Sequence, residues 1–307
     1  MNSPHVSVLL NEVISYLKVH DGGIYCDFTI GYGGHASELL KRFQTGMLIG
    51  FDQDIQAIDW CTQKIKDKKL FLVNDNFVNF KHHLYQRGIK KIDGGLVDLG
   101  VSSLQFDTPE RGFSYRTDGP FDMRMNQTKG LSAFQYIRKH SLNHLINVCR
   151  EYGEIKNPVH VAKVIKTFID ANDEVRTSQI EALIKQNVPV RKLYENKHPA
   201  RLYFQAIRIA VNDEINVLKK FLDEIIDFLN PQAIMAIITF HSLEEKVVKA
   251  WLKKYGTPPQ LPGVPINNDA LTKIASLTKK PLLPTPQEIA QNNRARSAKL
   301  FLVKCKF

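Results

Sequence analysis

A glycine-rich run, Gly31-Tyr32-Gly33-Gly34-His35, follows an apolar stretch at 24–30 and opens into an amphipathic segment at 36–43. Glycine at such a junction lets the backbone turn tightly and brings the amide N–H groups of a helix start close to a ligand. An acid, Asp52, closes the second apolar stretch, 19 residues beyond Gly33. That is near the spacing of about 20 at which a carboxylate accepts hydrogen bonds from a ribose diol. Together the two features point to a bound nucleoside. Asp52 or Asp54 equally suits the cap of a helix over 55–66. Gly31-x-Gly33-x-x-Ala36 also fits a loose dinucleotide pattern, so the loop does not choose between nucleoside cofactors. A further carboxylate ends the fourth apolar run in Val97-Asp98-Leu99-Gly100. It falls at the carboxyl edge of the sheet, where ligands of open α/β folds bind, although Asp before Gly also favours a plain turn.

The elements that must position these residues follow from hydrophobic period. Apolar runs at 24–30, 47–51, 70–73 and 95–97 alternate with amphipathic segments, a β-α-β order that demands right-handed crossovers and a parallel sheet covered on both faces. This is an α/β, Rossmann-like pattern. Between about 117 and 199 the strand signals vanish and helical spacing takes over at 131–139, 142–150, 159–171 and 178–187. A long helix is expected over 200–229, closed by Asn230-Pro231, and a strand over 233–239 resumes the α/β pattern. The expected organisation is therefore a first part of the α/β domain at 1–112, an inserted all-helical domain at 113–199, and a second part at 200–307. A loop is expected over 256–293, and residues 297–307 suit an edge strand.

Composition narrows the function classes. Lys plus Arg number 42 against 31 Asp plus Glu, a formal charge of +11, which raises the local concentration of polyanions; a solvated basic surface would give the same count. Cys26, Cys61, Cys149 and Cys305 form no CxxC or Cys/His cluster, so neither a metal site nor a disulfide framework is expected. Residues 1–13 lack the features of a secretory signal, and no run approaches the ~20 apolar residues of a membrane span. A cytoplasmic protein is the expectation, and the missing GxxxxGK(S/T) pattern argues against an ATPase. A nicotinamide-dependent oxidoreductase and a non-catalytic RNA-holding assembly factor both remain compatible with the residues considered so far.

Several stretches together carry a sharper likeness. His5-Val6-Ser7-Val8-Leu9-Leu10, Gly33-Gly34-His35 and Val97-Asp98-Leu99-Gly100-Val101-Ser102-Ser103 are followed by Arg111-Gly112-Phe113-Ser114 and Asp118-Gly119-Pro120-Phe121-Asp122-Met123-Arg124-Met125. Then come His198-Pro199-Ala200-Arg201, Phe204-Gln205-Ala206-Ile207-Arg208-Ile209, Phe240-His241-Ser242-Leu243-Glu244 and Arg294-Ala295-Arg296-Ser297-Ala298-Lys299-Leu300. In this order they resemble the MraW family of small-subunit ribosomal RNA methyltransferases over nearly the whole chain, with departures at Tyr32, where the family usually has a further Gly, at Ser7 and Asn293, where it usually has Pro, and at Tyr152-Gly153-Glu154-Ile155, which lacks the family's second acid. The resemblance implies a Rossmann-like methyltransferase domain carrying a helical insertion. It implies methyl transfer from S-adenosyl-L-methionine to the exocyclic N4 amine of a cytidine in the decoding region of 16S rRNA, within the small ribosomal subunit. Cofactor contacts are implied at Gly33, Gly34, His35, Asp52, Phe77, Asp98 and Gln105.

An aromatic amine is a weak nucleophile, so the chemistry asks mainly for positioning. Asp98 is the first candidate to orient that amine and Asp122 the second. Met123 and Arg124 would flank a base pocket, Met packing on the base and Arg meeting phosphate, although an ordinary turn with core methionines fits the same residues. Arg201, Gln205 and Arg208 at i, i+4 and i+7 share one helical face and suggest a phosphate-binding stripe, with Arg294, Arg296 and Lys299 as a second basic cluster. His241 falls at the sheet's carboxyl edge and suits a substrate contact or a structural histidine equally, while Ser242 and Glu245 match an S-x-x-E capping box.

Overall fold

The computed structural model describes residues 7–194, 197–258 and 272–307. The chain divides into two compact units, Met1–Gly100 with Ile215–Phe307, and Val101–Glu214. In the first unit seven strands form one sheet: β1 Ile24–Asp27, β2 Met47–Asp52, β3 Leu70–Asn74, β4 Ile92–Asp98, β5 Leu229–Thr239, β6 Ile274–Ser276 and β7 Lys299–Cys305. Their order is β3-β2-β1-β4-β5-β7-β6. The first five run parallel, and β7 is antiparallel to both β5 and β6. The sheet is Rossmann-like, and its order reverses between β1 and β4, the switch point at which such sheets open a crevice at their carboxyl ends.

Both faces of this sheet are buried, which explains why its strands read as continuous apolar runs. Successive side chains of one strand enter opposite cores, as the two-residue period requires. Ile49, Val97 and Ile237 join Phe28, Phe51, Phe80, Phe221 and Trp251 on one face. Leu48, Leu96 and Ile238 join Val13, Leu17, Leu39 and Leu300 on the other. Trp251 donates its indole N–H to the Leu222 carbonyl at 2.6 Å, so the largest ring of the first core buries no unpaired donor.

Three expectations are corrected here. Residues 200–229 form two helices, Ala200–Asn212 and Glu214–Ile225, because Asp213 between them takes a left-handed φ of 51°, a conformation that Asp tolerates better than most residues. Asn230-Pro231 lie within β5 instead of closing a helix. Pro is admissible there because the β4–β5 register shifts between Ile92 and Gly94, leaving a bulge with Gln232 at φ 73° where no ladder donor is required. Finally β7 is internal, since the short β6 pairs along its outer side. The expected loop at 256–293 holds β6 and a helix, Pro286–Gln291; its segment 259–271 lies outside the described residues. Among the described residues, no helix is long and apolar enough to cross a membrane.

The second unit is helical, with Ala133–Lys139, Leu142–Glu151, Val159–Asp170, Thr177–Asn187 and Ala200–Asn212 as its main elements. Ser132 caps the first and shares a reciprocal capping box with Gln135; Ser141 caps the second. Their apolar faces meet in one core with Phe121, Met123, Ile165, Ile180, Phe204 and Ile207. This unit is wider than the 113–199 span drawn from sequence. Ala200, Tyr203 and Phe204, beyond the latter boundary, supply part of its core.

Candidate active site

The carboxyl ends of β1 and β4 bring two acids together in the first unit. Asp27 pairs in register with Leu96 of β4, two residues before Asp98. Thr29, in the loop leaving β1, accepts the backbone N–H of Asp98 on its Oγ1 at 2.6 Å and donates its own N–H to Asp27 Oδ1 at 3.2 Å. Asp27 is 1% exposed. Burial pushes its carboxyl up to about 7, the charge of Asp52 adds to the rise, and the Thr29 N–H partly offsets it. Burial likewise raises Asp98 well above the usual carboxylate range, with Asp27 and Glu244 contributing. Its Oδ1 is enclosed and has no hydrogen-bond partner among the described residues. A desolvated carboxylate oxygen without a donor, repelled by two other acids, is a standing preference for a cation or an N–H donor.

The glycine loop is built around the acid of β2. Asp52 Oδ2 accepts the Gly31 N–H at 3.0 Å, and Oδ1 accepts the Asp54 N–H at 2.9 Å. Asp54, not Asp52, caps the helix Ile55–Lys64, accepting from Gln56. On its other side the Gly31 carbonyl accepts the Cys61 thiol at 3.2 Å; burial pushes that thiol up to about 12, so it stays a donor. Gly33 has φ 71°, and a Cβ there would stand 2.4 Å from Ile65 Cδ1 and 3.1 Å from Cys61 Sγ. No side chain fits without movement. Tyr32, where a further glycine was expected, packs edge-on against Trp60 at 5.1 Å. Gly34 begins the helix that follows.

The remaining first-unit candidates fall in different settings. His35 is buried and its Nε2 lies 3.0 Å from the Val8 carbonyl, a role inside the fold. Phe77 follows β3 in a short turn and meets Phe221 edge-on at 5.0 Å. His241 is the N-cap of the helix Ser242–Gly256, and the capping box forms one residue earlier than expected, between His241 and Glu244. Glu244 also accepts the Phe240 N–H at 2.7 Å. Glu245 is instead paired with Lys249 and Lys299, each at 2.6 Å. Arg294 and Arg296 are exposed on the single turn Asn293–Ser297.

In the second unit, Gln105 is buried and spends its side-chain oxygen on the Ser102 N–H, closing a capping box at the start of Ser103–Asp107. Asp122 forms a two-pronged pair with Arg124, Nε to Oδ1 at 2.9 Å and Nη2 to Oδ2 at 2.7 Å. Both its oxygens are engaged, so Asp122 is a poorer holder of an amine than Asp98. Met123 is fully buried in the helical core at φ 60°, and its side chain serves that core instead of offering a face to a base. The strained turn is pinned by Arg111, whose Nη2 donates to the carbonyls of Arg124 and Met125, and by Asn212, which donates to the Met123 carbonyl. Along the expected basic stripe, Arg208 is locked in a fork with Glu214 at 2.8 Å. Gln205 reaches the Tyr152 carbonyl at 3.4 Å, and Arg201 keeps a buried Nε without a partner among the described residues.

Sequence reasoning passed over Asp27, Thr29, Glu244 and Arg111. A signal existed for the first: a carboxylate inside an apolar strand has to be hydrogen-bonded, paired or neutralised. Another existed for Gln105, since Ser102-x-x-Gln105 is a capping-box pattern. Nothing in spacing alone marks Thr29, whose partner is 69 residues away in the chain.

The sequence pattern of the MraW methylase family matches residues 2–306. A protein named ribosomal RNA small subunit methyltransferase H from Mycoplasmoides gallisepticum is 46% identical over 305 residues, covering 99% of this chain and 97% of that one. Its namesake from Mycoplasma pneumoniae is 42% identical over 99% of each. Among solved structures, the chain is similar to an rRNA methylase from Streptococcus thermophilus, at 11% identity and a TM-score of 0.41 over 97% of this chain and 94% of that one. With a family pattern spanning all but the first and last residues, and relatives above 40% identity from end to end, this chain belongs to the MraW methylase family.

Proposed function

We propose that this chain transfers a methyl group from S-adenosyl-L-methionine to the exocyclic N4 amine of a cytidine in the decoding region of 16S rRNA, in the context of the small ribosomal subunit. The observation that carries the reading is the enclosed Oδ1 of Asp98, without a hydrogen-bond partner among the described residues, beside Asp27 and one loop away from Gly31 and Asp52. This acid-rich, glycine-lined crevice suits a cationic nucleoside, Asp52 being placed for ribose hydroxyls once its hold on Gly31 is exchanged. S-adenosyl-L-methionine supplies a methyl group already activated by a sulfonium, so no metal is required. The relatives named as small-subunit rRNA methyltransferases support the substrate class, as does a formal charge of +11.

Asp98 has two tasks in this reading. Its carboxylate accepts an N4–H bond, which turns the nitrogen lone pair toward the methyl. When the new N–C bond forms and the old bond leaves its electron pair on sulfur, nitrogen becomes cationic and sheds a proton, which Asp98 is placed to accept. A neighbouring positive charge lowers the proton affinity of Asp98 and ionises it when the site is filled. The helical unit, with Arg201 and Arg124, would serve substrate recognition, and Arg294 and Arg296 would contact phosphate.

Small subunits from cells lacking the enzyme, incubated with this protein and methyl-labelled S-adenosyl-L-methionine, should yield label in N4-methylcytidine on nucleoside mass analysis. Binding to subunits with no labelled nucleoside would overturn catalysis, and label in another nucleoside would overturn the substrate assignment.

A further inference from the structure

The sheet edge opposite Asp27, Asp52 and Asp98 carries a second concavity, of about 370 Å³, within the first unit. That volume lies in the range of small-molecule sites. Its wall is made where helix Leu10–Leu17 ends, where β4 begins and where the bulge of β5 turns in. Two non-glycine residues of the wall, Lys18 at φ 47° and Gln232 at φ 73°, hold left-handed backbone. Strained backbone retained at a cavity is a recurrent mark of a binding site.

The chemistry of the wall is lopsided. Lys18, His20 and Lys304 line it against one acid, Asp93. That acid is already engaged: Oδ2 accepts the Ile24 N–H and Oδ1 the Asn230 side-chain amide, both at 2.8 Å. Lys18 and Lys304 have no carboxylate partner among the described residues, in contrast to Lys41, Lys69, Lys249, Lys254 and Lys299. Tyr16, half-buried, adds aromatic surface, while Tyr25 is buried behind the wall with the His20 ring edge-on to it at 6.0 Å. Tyr25 accepts the His20 N–H on its hydroxyl at 3.0 Å and retains a phenolic proton to donate.

We propose that this cavity binds a nucleotide, its phosphate taken by Lys18, Lys304 and His20 and its base laid against the ring of Tyr16. The site lies at the other end of the strands from the methyl-transfer crevice and does not depend on the function proposed for that crevice. Such a unit comes either from an RNA strand threading past the sheet edge or from a free mononucleotide; cation plus aromatic surface serves both.

Calorimetric titration of the full-length protein with uridine 5′-monophosphate, and separately with orthophosphate, tests this. The nucleotide should bind more tightly than orthophosphate, and Lys18→Ala with Lys304→Ala should weaken it about tenfold or more and flatten its salt dependence. Lys18→Arg with Lys304→Arg should retain binding. Both side chains lie outside the core, so an unchanged thermal midpoint accompanies the loss. Displacement of the nucleotide by a single-stranded oligouridylate assigns the site to an RNA strand, and its absence to a free nucleotide. No binding heat, equal affinity for orthophosphate, or equal affinity in the double alanine variant overturns the proposal.

Discussion

Thr29 and Asp98 lie 69 residues apart in sequence, and a single 2.6 Å hydrogen bond from the Asp98 N–H to Thr29 Oγ1 ties the carboxyl end of β4 to the loop leaving β1. The same threonine holds Asp27 through its own N–H, so one residue sets the positions of both acids. Thr29→Val keeps the shape and removes the acceptor, leaving a backbone donor unpaired at a cost of about 1–3 kcal/mol. The midpoint of urea unfolding should fall accordingly, and the methylation rate should fall further than the loss of folded protein explains. Thr29→Ser retains the oxygen and should restore both. A rate unaffected in Thr29→Val would show that the placement of Asp98 does not matter.

Asp98→Asn separates stability from activity. The carboxylate is desolvated and pressed by Asp27 and Glu244, so an amide of the same size should leave the protein as stable or more stable near pH 8. The proposed proton acceptor is lost, and turnover should drop by roughly 10²-fold or more, the usual scale of a general base. Single-turnover methylation of small subunits and urea unfolding at one pH provide the two readings. Equal turnover sinks the assignment of Asp98.

Much of the sheet that carries this site could be read from residues alone, and the exceptions have physical causes. The runs at 47–51 and 233–239 announce strands because Leu48 and Ile49, like Ile237 and Ile238, feed opposite cores and leave no polar face. A three-residue strand such as β6 carries too few side chains to show a period. The break at Asp213 is hidden because an acid fits the exposed face of an amphipathic helix, and only its φ reveals the turn. Two overlapping capping patterns compete at 241–245; His241 and Glu244 prevail because the buried Glu244 satisfies the N–H groups of Phe240 and His241 together. Asp122 stands second to Asp98 on sequence, and the engagement of both its oxygens by Arg124 is a pairing that residue type cannot specify.

Gly33 and Gly22 form a natural control pair for the cofactor loop. Both have positive φ, 71° and 77°, yet a Cβ at Gly22 meets nothing within 4 Å while one at Gly33 meets Ile65 and Cys61. Gly22→Ala should cost about 1–2 kcal/mol for left-handed backbone alone. Gly33→Ala should cost more, by the displacement of two packed side chains, and should weaken S-adenosyl-L-methionine binding, which Gly22→Ala should not. Equal unfolding midpoints and equal cofactor affinities in the two variants would remove the packing explanation for the loop.

Asp27 makes stability depend on pH in a direction opposite to that of most carboxylates. Its folded value is raised to about 7, chiefly by burial, against about 3.9 in an unfolded chain. Below pH 4 both states hold the proton and the group contributes nothing. Between pH 4 and 7 the unfolded state releases the proton while the folded state retains it, so stability falls as pH rises. The loss levels off above pH 7 at about 4 kcal/mol at most. Asp27→Asn cannot titrate, so its stability relative to the parent protein should climb from pH 4 to pH 7 and then run flat. Any fixed offset from exchanging a carboxyl for an amide cancels in that slope. Removing the charge of Asp27 also takes away one cause of the raised Asp98, so the acid limb of the methylation profile should move to lower pH. Urea unfolding at unit pH steps from 4 to 8 supplies the first reading, and parallel curves for the two proteins would falsify a buried, protonated Asp27.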